Sequence, residues 1–186
     1  MKKDIVYILT FCIIASIIIG AIVVVKTFYP LRYTDQVVGY AKKHHIDPYL
    51  ALAVINTESR FNKNATSSQE AKGLMQITDA TAKEVNDNTN SAEEINDDTL
   101  YDVDVNVELG CNYLQSLILK YNGNYYLAVI AYNAGMGNVD KWMEQGIVDD
   151  NLNSTDIDLP FSETEKYLKK VIHNYKAYKL IYPSLK

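Results

Sequence analysis

The hydrophobic positions of this chain begin with one unbroken apolar run near the N-terminus. The 21 residues from Ile5 to Val25 include no charged side chain. A helix rises about 1.5 Å per residue, so this run would span roughly 30 Å, the thickness of the hydrocarbon core of a bilayer. A cleaved signal peptide is the rival interpretation. The run exceeds the usual apolar length of such peptides, and no small-residue cleavage site appears near Lys26, so we favour a retained transmembrane helix.

The residues on either side of the run predict how the chain is arranged around the membrane. Lys2 and Lys3 precede the run, which favours a cytoplasmic N-terminus over residues 1–4 and an exported remainder. Residues 26–33 contain Pro30, which blocks simple continuation of a helix, so this segment is predicted to be a linker. We therefore expect a single-pass protein of the cell membrane whose residues 34–186 lie on the extracytoplasmic side.

After residue 34 the apolar positions follow the spacing of helices, and no stretch alternates with period two over the length of a strand. Asp47 is a predicted N-cap and Pro48 a predicted first helical residue. Ala51, Val54 and Ile55 then occupy one face of the helix, and Glu58 continues that face. Helical spacing also marks residues 107–121, residues 125–134 and a last helix from residue 162. The sequence thus predicts an all-α domain over residues 34–186.

Two features predict where helices begin and where they are interrupted. Ser162 and Glu165 have the spacing of a capping box at the start of the last helix. The segment from Asn86 to Asp98 is rich in Asn and Asp, residues that favour turns, so most of it is predicted to be a surface loop.

Charge and cysteine content exclude several classes of function. The net charge is −5, which disfavours nucleic acid as a partner because phosphate binding needs a clustered basic face. Cys12 lies in the apolar run and Cys111 in a distant predicted helix, so a disulfide between them is not expected. The three histidines are scattered. We predict neither a metal site nor a cofactor.

Glu58 is the carboxylate that the pattern singles out, because it lies on an otherwise apolar helical face. A desolvated carboxyl group has a raised pKa, and an acid that stays protonated near neutral pH can act as a general acid. The alternative is an ordinary ion pair with Arg60 or Lys63 at the end of the helix. The pattern alone leaves both interpretations open.

A second group of polar residues resembles the start of a calcium-binding loop. Asp102, Asp104 and Asn106 match the first ligand positions, but Val107 replaces the glycine at the sixth position and Tyr113 the glutamate at the twelfth. We interpret these residues as caps and first-turn anions of the helix that follows.

Four segments together resemble the catalytic domain of the soluble-lytic-transglycosylase family, a relative of goose-type lysozyme. They are residues 58–61 (ESRF), residues 73–76 (GLMQ), residues 131–135 (AYNAG), and Glu163-Thr164 with Tyr167. Their order and spacing agree over roughly residues 36–183. The resemblance implies a lysozyme-like α fold whose groove binds strands of alternating N-acetylglucosamine (GlcNAc) and N-acetylmuramic acid (MurNAc).

The same resemblance implies the residues of the site. Glu58 matches the family's catalytic glutamate. The implied substrate-binding residues are Ser67, Met75, Gln76, Tyr132, Asn133, Glu163 and Tyr167. For Met75 and Tyr167 a packing role remains equally open. The chain departs from the family at Glu70, where relatives usually have glycine, and at Thr78-Asp79, where they often have Met-Pro.

The implied activity is that of a lyase, a membrane-anchored lytic transglycosylase. It would cleave the MurNAc-β-1,4-GlcNAc bond of peptidoglycan and form 1,6-anhydroMurNAc, with one acid used twice. One alternative is a muramidase that uses water on the same fold, and another is a non-catalytic scaffold that binds peptidoglycan. The expected partners are glycan strands and the membrane, and protein partners are left open.

Overall fold

The computed structural model describes residues 2–89 and 98–185, and the chain divides into two units, Met1–Arg32 and Tyr33–Lys186. The first unit is a single helix, α1 (Lys2–Phe28). Its segment Tyr7–Phe28 has a mean hydropathy of 3.0 and is long and apolar enough to cross a membrane, a test that a signal sequence also passes. Helix α1 continues to Phe28, inside the segment predicted as a linker, and stops before Pro30.

The second unit is built from seven helices in the part of the chain that the structure describes. They are α2 (Thr34–Lys43), α3 (Pro48–Glu58), α4 (Asp79–Thr89), α5 (Val103–Lys120), α6 (Tyr125–Ala134), α7 (Met136–Glu144) and α8 (Ser162–Ile181). A single 3-10 turn, Thr99–Tyr101, precedes α5. Among the described residues, β-type pairing is limited to isolated bridges around Lys72. The predicted all-α fold is confirmed.

Local capping explains where several of these helices begin. The Asp47 carboxylate accepts a hydrogen bond from the Tyr49 amide, with Pro48 at the first helical position, as the sequence predicts. Asp102 accepts from the amides of Asp104 and Val105 at the start of α5, which agrees with its interpretation as a cap. These side chains satisfy backbone donors that the first helical turn leaves without a partner.

Two local predictions need correction. The predicted capping box at Ser162 does not form: Phe161 is the N-cap of α8 without a side-chain cap, and Glu165 instead accepts a hydrogen bond from the Leu159 amide. The predicted loop from Asn86 is helical at first, since α4 extends to Thr89. The rest of that loop, residues 90–97, lies outside the described residues.

Helix α3 forms the centre of the domain. Its residues from Tyr49 through Asn56 are all buried, so the helix is covered on every side. It packs against α8 and α2, while α6 contacts α5, α7 and α8. Glu58 is the last residue of this central helix, at the point where α3 leaves the core.

Candidate active site

The Glu58 carboxyl group is largely enclosed and makes one short hydrogen bond. The hydroxyl group of Tyr167, on α8, donates to Glu58 Oε1 at 2.6 Å. Lys170, one turn further along α8, donates from Nζ to the carbonyl oxygen of Thr57 at 3.2 Å. In the described part of the chain no ion pair joins Glu58 to Arg60 or Lys63, so the ion-pair interpretation of Glu58 is wrong.

These surroundings set the protonation of Glu58. The pKa of Glu58 is raised from 4.5 to about 7: burial raises the pKa, and the hydrogen bond from Tyr167 and the positive charge of Lys170 lower it by less. Desolvation is the largest effect. A carboxyl group with this pKa holds its proton at neutral pH about as often as it releases it, so it can serve both as an acid and as a base.

Glu58 opens into a cavity of about 240 Å³ that gathers most of the predicted site residues. Among the predicted residues, the cavity is lined by Glu58, Ser67, Gln76, Tyr132, Asn133 and Glu163. Residues separated by more than a hundred positions in the sequence therefore share one site. Glu163 brings a second carboxylate to the same cavity, from the first turn of α8.

Met75 and Tyr167 do not line this cavity. Met75 is completely buried and packs beneath the cavity against Gly110 of α5. Tyr167 is 8% exposed, and its hydroxyl group is bonded to Glu58. The structure therefore gives Met75 a packing position and makes Tyr167 a hydrogen-bond partner of Glu58.

The Ser67 hydroxyl group has a fixed hydrogen-bonding polarity. Its oxygen accepts hydrogen bonds from the amides of Gln69 and Ala71, both at 3.1 Å. A hydroxyl group has two acceptor sites and one donor hydrogen. With both acceptor sites occupied, Ser67 can offer a ligand only its hydrogen.

Gln76 has the opposite polarity. Its Nε2 donates to the carbonyl oxygens of Ala65 and Gly73 at 3.1 and 2.9 Å. Both amide hydrogens are thus used, and the Gln76 carbonyl oxygen remains to accept a hydrogen bond from a ligand. Ser67 and Gln76 therefore present one donor and one acceptor, respectively, to the cavity.

The turn that carries Gln76 is held by side chains from two helices, α5 and α6. The Asn106 side chain, 1% exposed, accepts from the Met75 amide at 2.8 Å and donates to the carbonyl oxygens of Lys72 and Leu100. Tyr132 donates to the Met75 carbonyl oxygen at 2.8 Å. The Tyr132 hydroxyl group uses its hydrogen in this bond, and Tyr132 also lines the cavity.

The loop between α3 and α4 has an unusual backbone conformation. Arg60, Phe61, Glu70 and Gln76 all have positive φ values, between 50° and 61°. Residues with a Cβ atom rarely adopt this backbone conformation. Those that do cluster at functional sites, where the surrounding structure holds the backbone in place. Glu70 replaces a glycine of the family pattern at φ 60°, so the glycine preference there has a conformational reason.

Several residues of the cavity wall are not predicted from the sequence. The further residues that line the cavity are Ser68, Gln69, Ala71, Ile77, Thr78, Thr81 and Tyr113. Asn106 was interpreted only as part of a helix start, although it organises the turn below the cavity. A polar residue among the apolar positions of α5 is a signal that could have identified it. Among the described residues, no group of three or more His, Cys, Asp or Glu could hold a metal ion.

An all-helical domain with a buried, near-neutral glutamate at a polar cavity contains the kind of group that acts as a general acid in enzymes that use carboxyl groups. The particular family is given by comparison with known proteins. Residues 36–151 match the family model described as the transglycosylase SLT domain. The chain belongs to this family.

The relatives include soluble and membrane-bound proteins. The chain is 31% identical over 150 residues to the soluble lytic murein transglycosylase of Salmonella typhimurium, covering 81% of this chain and 23% of that protein. It is 30% identical over 167 residues to the membrane-bound lytic murein transglycosylase C of Serratia proteamaculans, covering 80% of this chain and 47% of that protein. The chain thus matches about a quarter of the soluble relative and about half of the membrane-bound one.

Solved structures agree with this assignment. An inactive mutant of lytic transglycosylase Slt from Pseudomonas aeruginosa, with a glutamate replaced by glutamine, superposes with a TM-score of 0.75 and 28% identity, covering 84% of this chain and 25% of that chain. The 70-kDa soluble lytic transglycosylase of Escherichia coli gives a TM-score of 0.73 and 29% identity, covering 82% of this chain and 25% of that one. The predicted lytic transglycosylase fold is confirmed.

Proposed function

We propose that this chain is a membrane-anchored lytic transglycosylase that cleaves the MurNAc-β-1,4-GlcNAc bond of peptidoglycan and forms 1,6-anhydroMurNAc. The observation that carries the proposal is the environment of Glu58: a buried carboxyl group with a pKa of about 7, held by Tyr167 at the edge of the cavity. A group that must first give and then take a proton works best with a pKa near the working pH.

In the first step, Glu58 donates its proton to the glycosidic oxygen, and the bond between this oxygen and C1 of MurNAc breaks. The acetamido oxygen of the same sugar stabilises the electron-deficient C1. In the second step, the Glu58 carboxylate removes the proton from the 6-hydroxyl group, whose oxygen attacks C1. The acid is regenerated, no water is consumed, and the product is a 1,6-anhydro sugar.

The polarity of the cavity supports this scheme. Ser67 offers a hydrogen for the acetamido oxygen, and Gln76 offers a carbonyl oxygen for an N–H or hydroxyl group of the substrate. Groups fixed by other hydrogen bonds need no reorganisation when the substrate binds. Asn133 adds a further donor, because its Oδ1 accepts from the Thr164 hydroxyl group at 2.7 Å and leaves its NH₂ group for the cavity.

Glu58→Gln tests the assignment of the acid. This variant keeps the size of the side chain and the oxygen that accepts from Tyr167, but it cannot transfer the proton. We expect release of soluble fragments from purified sacculi to fall by at least about a hundredfold. Glu144→Gln, the same change at an exposed position of α7, is the matched control. Near-normal release by Glu58→Gln would exclude Glu58 as the acid.

A muramidase is the second candidate, because Glu163 lines the same cavity and could activate water. Mass spectrometry of the released fragments distinguishes the two reactions. A transglycosylase gives 1,6-anhydro ends, whereas a muramidase gives reducing ends that are heavier by one water molecule. A scaffold that only binds peptidoglycan would release neither product.

The proposed location rests on α1. This helix has the length and hydropathy of a membrane span, and we propose that it anchors the domain in the cell membrane by a single pass, with residues 34–186 on the extracytoplasmic side. Lys2 and Lys3 before the helix support this orientation. Protease treatment of intact spheroplasts should digest the domain, and protection of the domain until the cells are lysed would contradict this topology.

A further inference from the structure

Phe161 is an aromatic side chain that remains exposed next to the cavity. Among the described residues of the second unit (Tyr33–Lys186), the large apolar side chains that are strongly exposed are Leu119, Phe161 and Leu180. Phe161 is 45% exposed and packs edge to face against the buried Trp142 of α7, with ring centroids 5.2 Å apart. Trp142 thus supports the Phe161 ring from one side, and nearly half of Phe161 is left to solvent.

The backbone on both sides of Phe161 is firmly held. The Glu165 carboxylate accepts from the amide of Leu159, a buried residue, at 2.8 Å. The Phe161 carbonyl oxygen accepts the first hydrogen bond of α8 from the Glu165 amide at 3.2 Å. The ring is therefore presented in a fixed position before any ligand binds, which reduces the entropy lost on binding.

Phe161 is not part of the cavity wall but is close in the chain to a residue that is. Glu163, two residues further along the chain, lines the cavity, and two residues span at most about 7 Å. The bond between Thr164 and Asn133 ties this part of α8 to the end of α6, from which α7 departs. The Cα atom of Phe161 therefore lies within about 7 Å of that of Glu163, close enough for the Phe161 ring to contact a ligand that extends out of the cavity.

We propose that Phe161 is a stacking platform for a pyranose ring of the glycan strand, where the strand leaves the cavity beyond Glu163. One face of a β-linked pyranose consists of C–H groups, which pack well on the flat apolar surface of an aromatic ring. The binding site would accordingly extend past the cavity by a further sugar. This proposal depends on the proposed function, because it requires a glycan strand in the cavity.

Binding of N-acetylglucosamine oligomers of two to six rings tests the platform. The full chain carrying Glu58→Gln is used in detergent, so that the oligomers are not consumed, and affinities are measured by calorimetry. Trp142 is the only tryptophan of the chain and touches Phe161, so its fluorescence reports on a ligand at this position. We expect the emission to change only with oligomers long enough to reach Phe161.

In this background, Phe161→Ala should weaken binding of the six-ring oligomer about tenfold, the loss of one aromatic contact. It should leave binding of the two-ring oligomer unchanged. Phe161→Tyr should keep the affinity for the long oligomer, since the ring remains. Leu180→Ala, at the exposed end of the same helix, is the matched control and should change neither affinity.

Three outcomes contradict the proposal in different ways. Equal affinities of Phe161→Ala and its parent for the long oligomer would mean that Phe161 only covers Trp142. A loss of equal size for short and long oligomers would mean that the substitution disturbs the cavity itself. If no oligomer binds to the parent chain, the proposed function fails along with the platform.

Discussion

Tyr167→Phe removes one oxygen atom and with it the hydrogen bond that stabilises the ionised form of Glu58. This bond lowers the pKa of Glu58, and only Lys170 would remain to oppose the effect of burial. A hydrogen bond to a charged group contributes about 1.5–3 kcal/mol, and one pH unit corresponds to about 1.4 kcal/mol. We therefore expect the pKa of Glu58 to rise from about 7 by roughly one to two pH units.

The direction of the effect on activity follows from the role of the acid. Protonation of the glycosidic oxygen needs the protonated form of Glu58, so kcat/KM falls as the pH rises through its pKa. Raising the pKa moves this alkaline limb to higher pH. The assay is the pH dependence of fragment release from sacculi, accompanied by an NMR titration of the Glu58 carboxyl carbon in protein labelled at glutamate, which does not depend on turnover.

Tyr113→Phe provides the control for this experiment. Tyr113 lines the same cavity and loses the same atom, but it does not contribute to the pKa of Glu58. We expect the Tyr113→Phe limb to coincide with that of the parent. An alkaline limb of Tyr167→Phe that stays in place or moves to lower pH would refute the account of Glu58 given by the structure.

Two further predictions concern stability. Glu58 has a pKa of about 7 in the folded state and 4.5 when solvated, so the folded state loses stability as the pH rises from 4.5 to 7. Glu58→Gln should therefore stabilise the protein by about 3 kcal/mol at pH 8 and hardly at pH 4, as measured by urea unfolding. A stability difference that does not depend on pH would contradict this prediction. Gly110→Ala should lower the free energy of unfolding by about 1–3 kcal/mol, because the added Cβ would overlap Met75. Gly39→Ala, with open space around the added Cβ, should raise it by about 1 kcal/mol. Thermal unfolding of both variants measures the two changes.

The buried position of Glu58 connects these predictions. The domain is destabilised at neutral pH by the same desolvation that gives Glu58 its pKa, and it would gain stability by losing the acid. Functional sites commonly retain a strained or desolvated group for the chemistry it performs, although the group lowers the stability of the fold.

The sequence alone predicts four of the seven helices that the structure describes in the second unit, α3, α5, α6 and α8, and it singles out Glu58. Asp47 and Pro48 define the start of α3, because capping is a local property of the backbone. The periodic apolar residues that follow predict one buried face, whereas packing against the other helices buries α3 on every side. The departure of Glu58 from that apolar pattern was visible without coordinates. Periodicity could not decide between a desolvated acid and an ion pair, since both place a carboxylate at a helix end.

The groups that surround Glu58 and line the cavity come together only through tertiary packing. Tyr167 is 109 residues away in the sequence and reaches Glu58 only because α8 packs on α3. The hydrogen bond from the Met75 amide to the Asn106 side chain likewise depends on the packing of α5 against this turn. The predicted capping box at Ser162 does not form, because the Glu165 carboxylate accepts a hydrogen bond from the amide of Leu159, a buried residue before the helix. Spacing along the chain predicts local hydrogen bonds, but burial and the partners of buried groups are properties of the packed molecule.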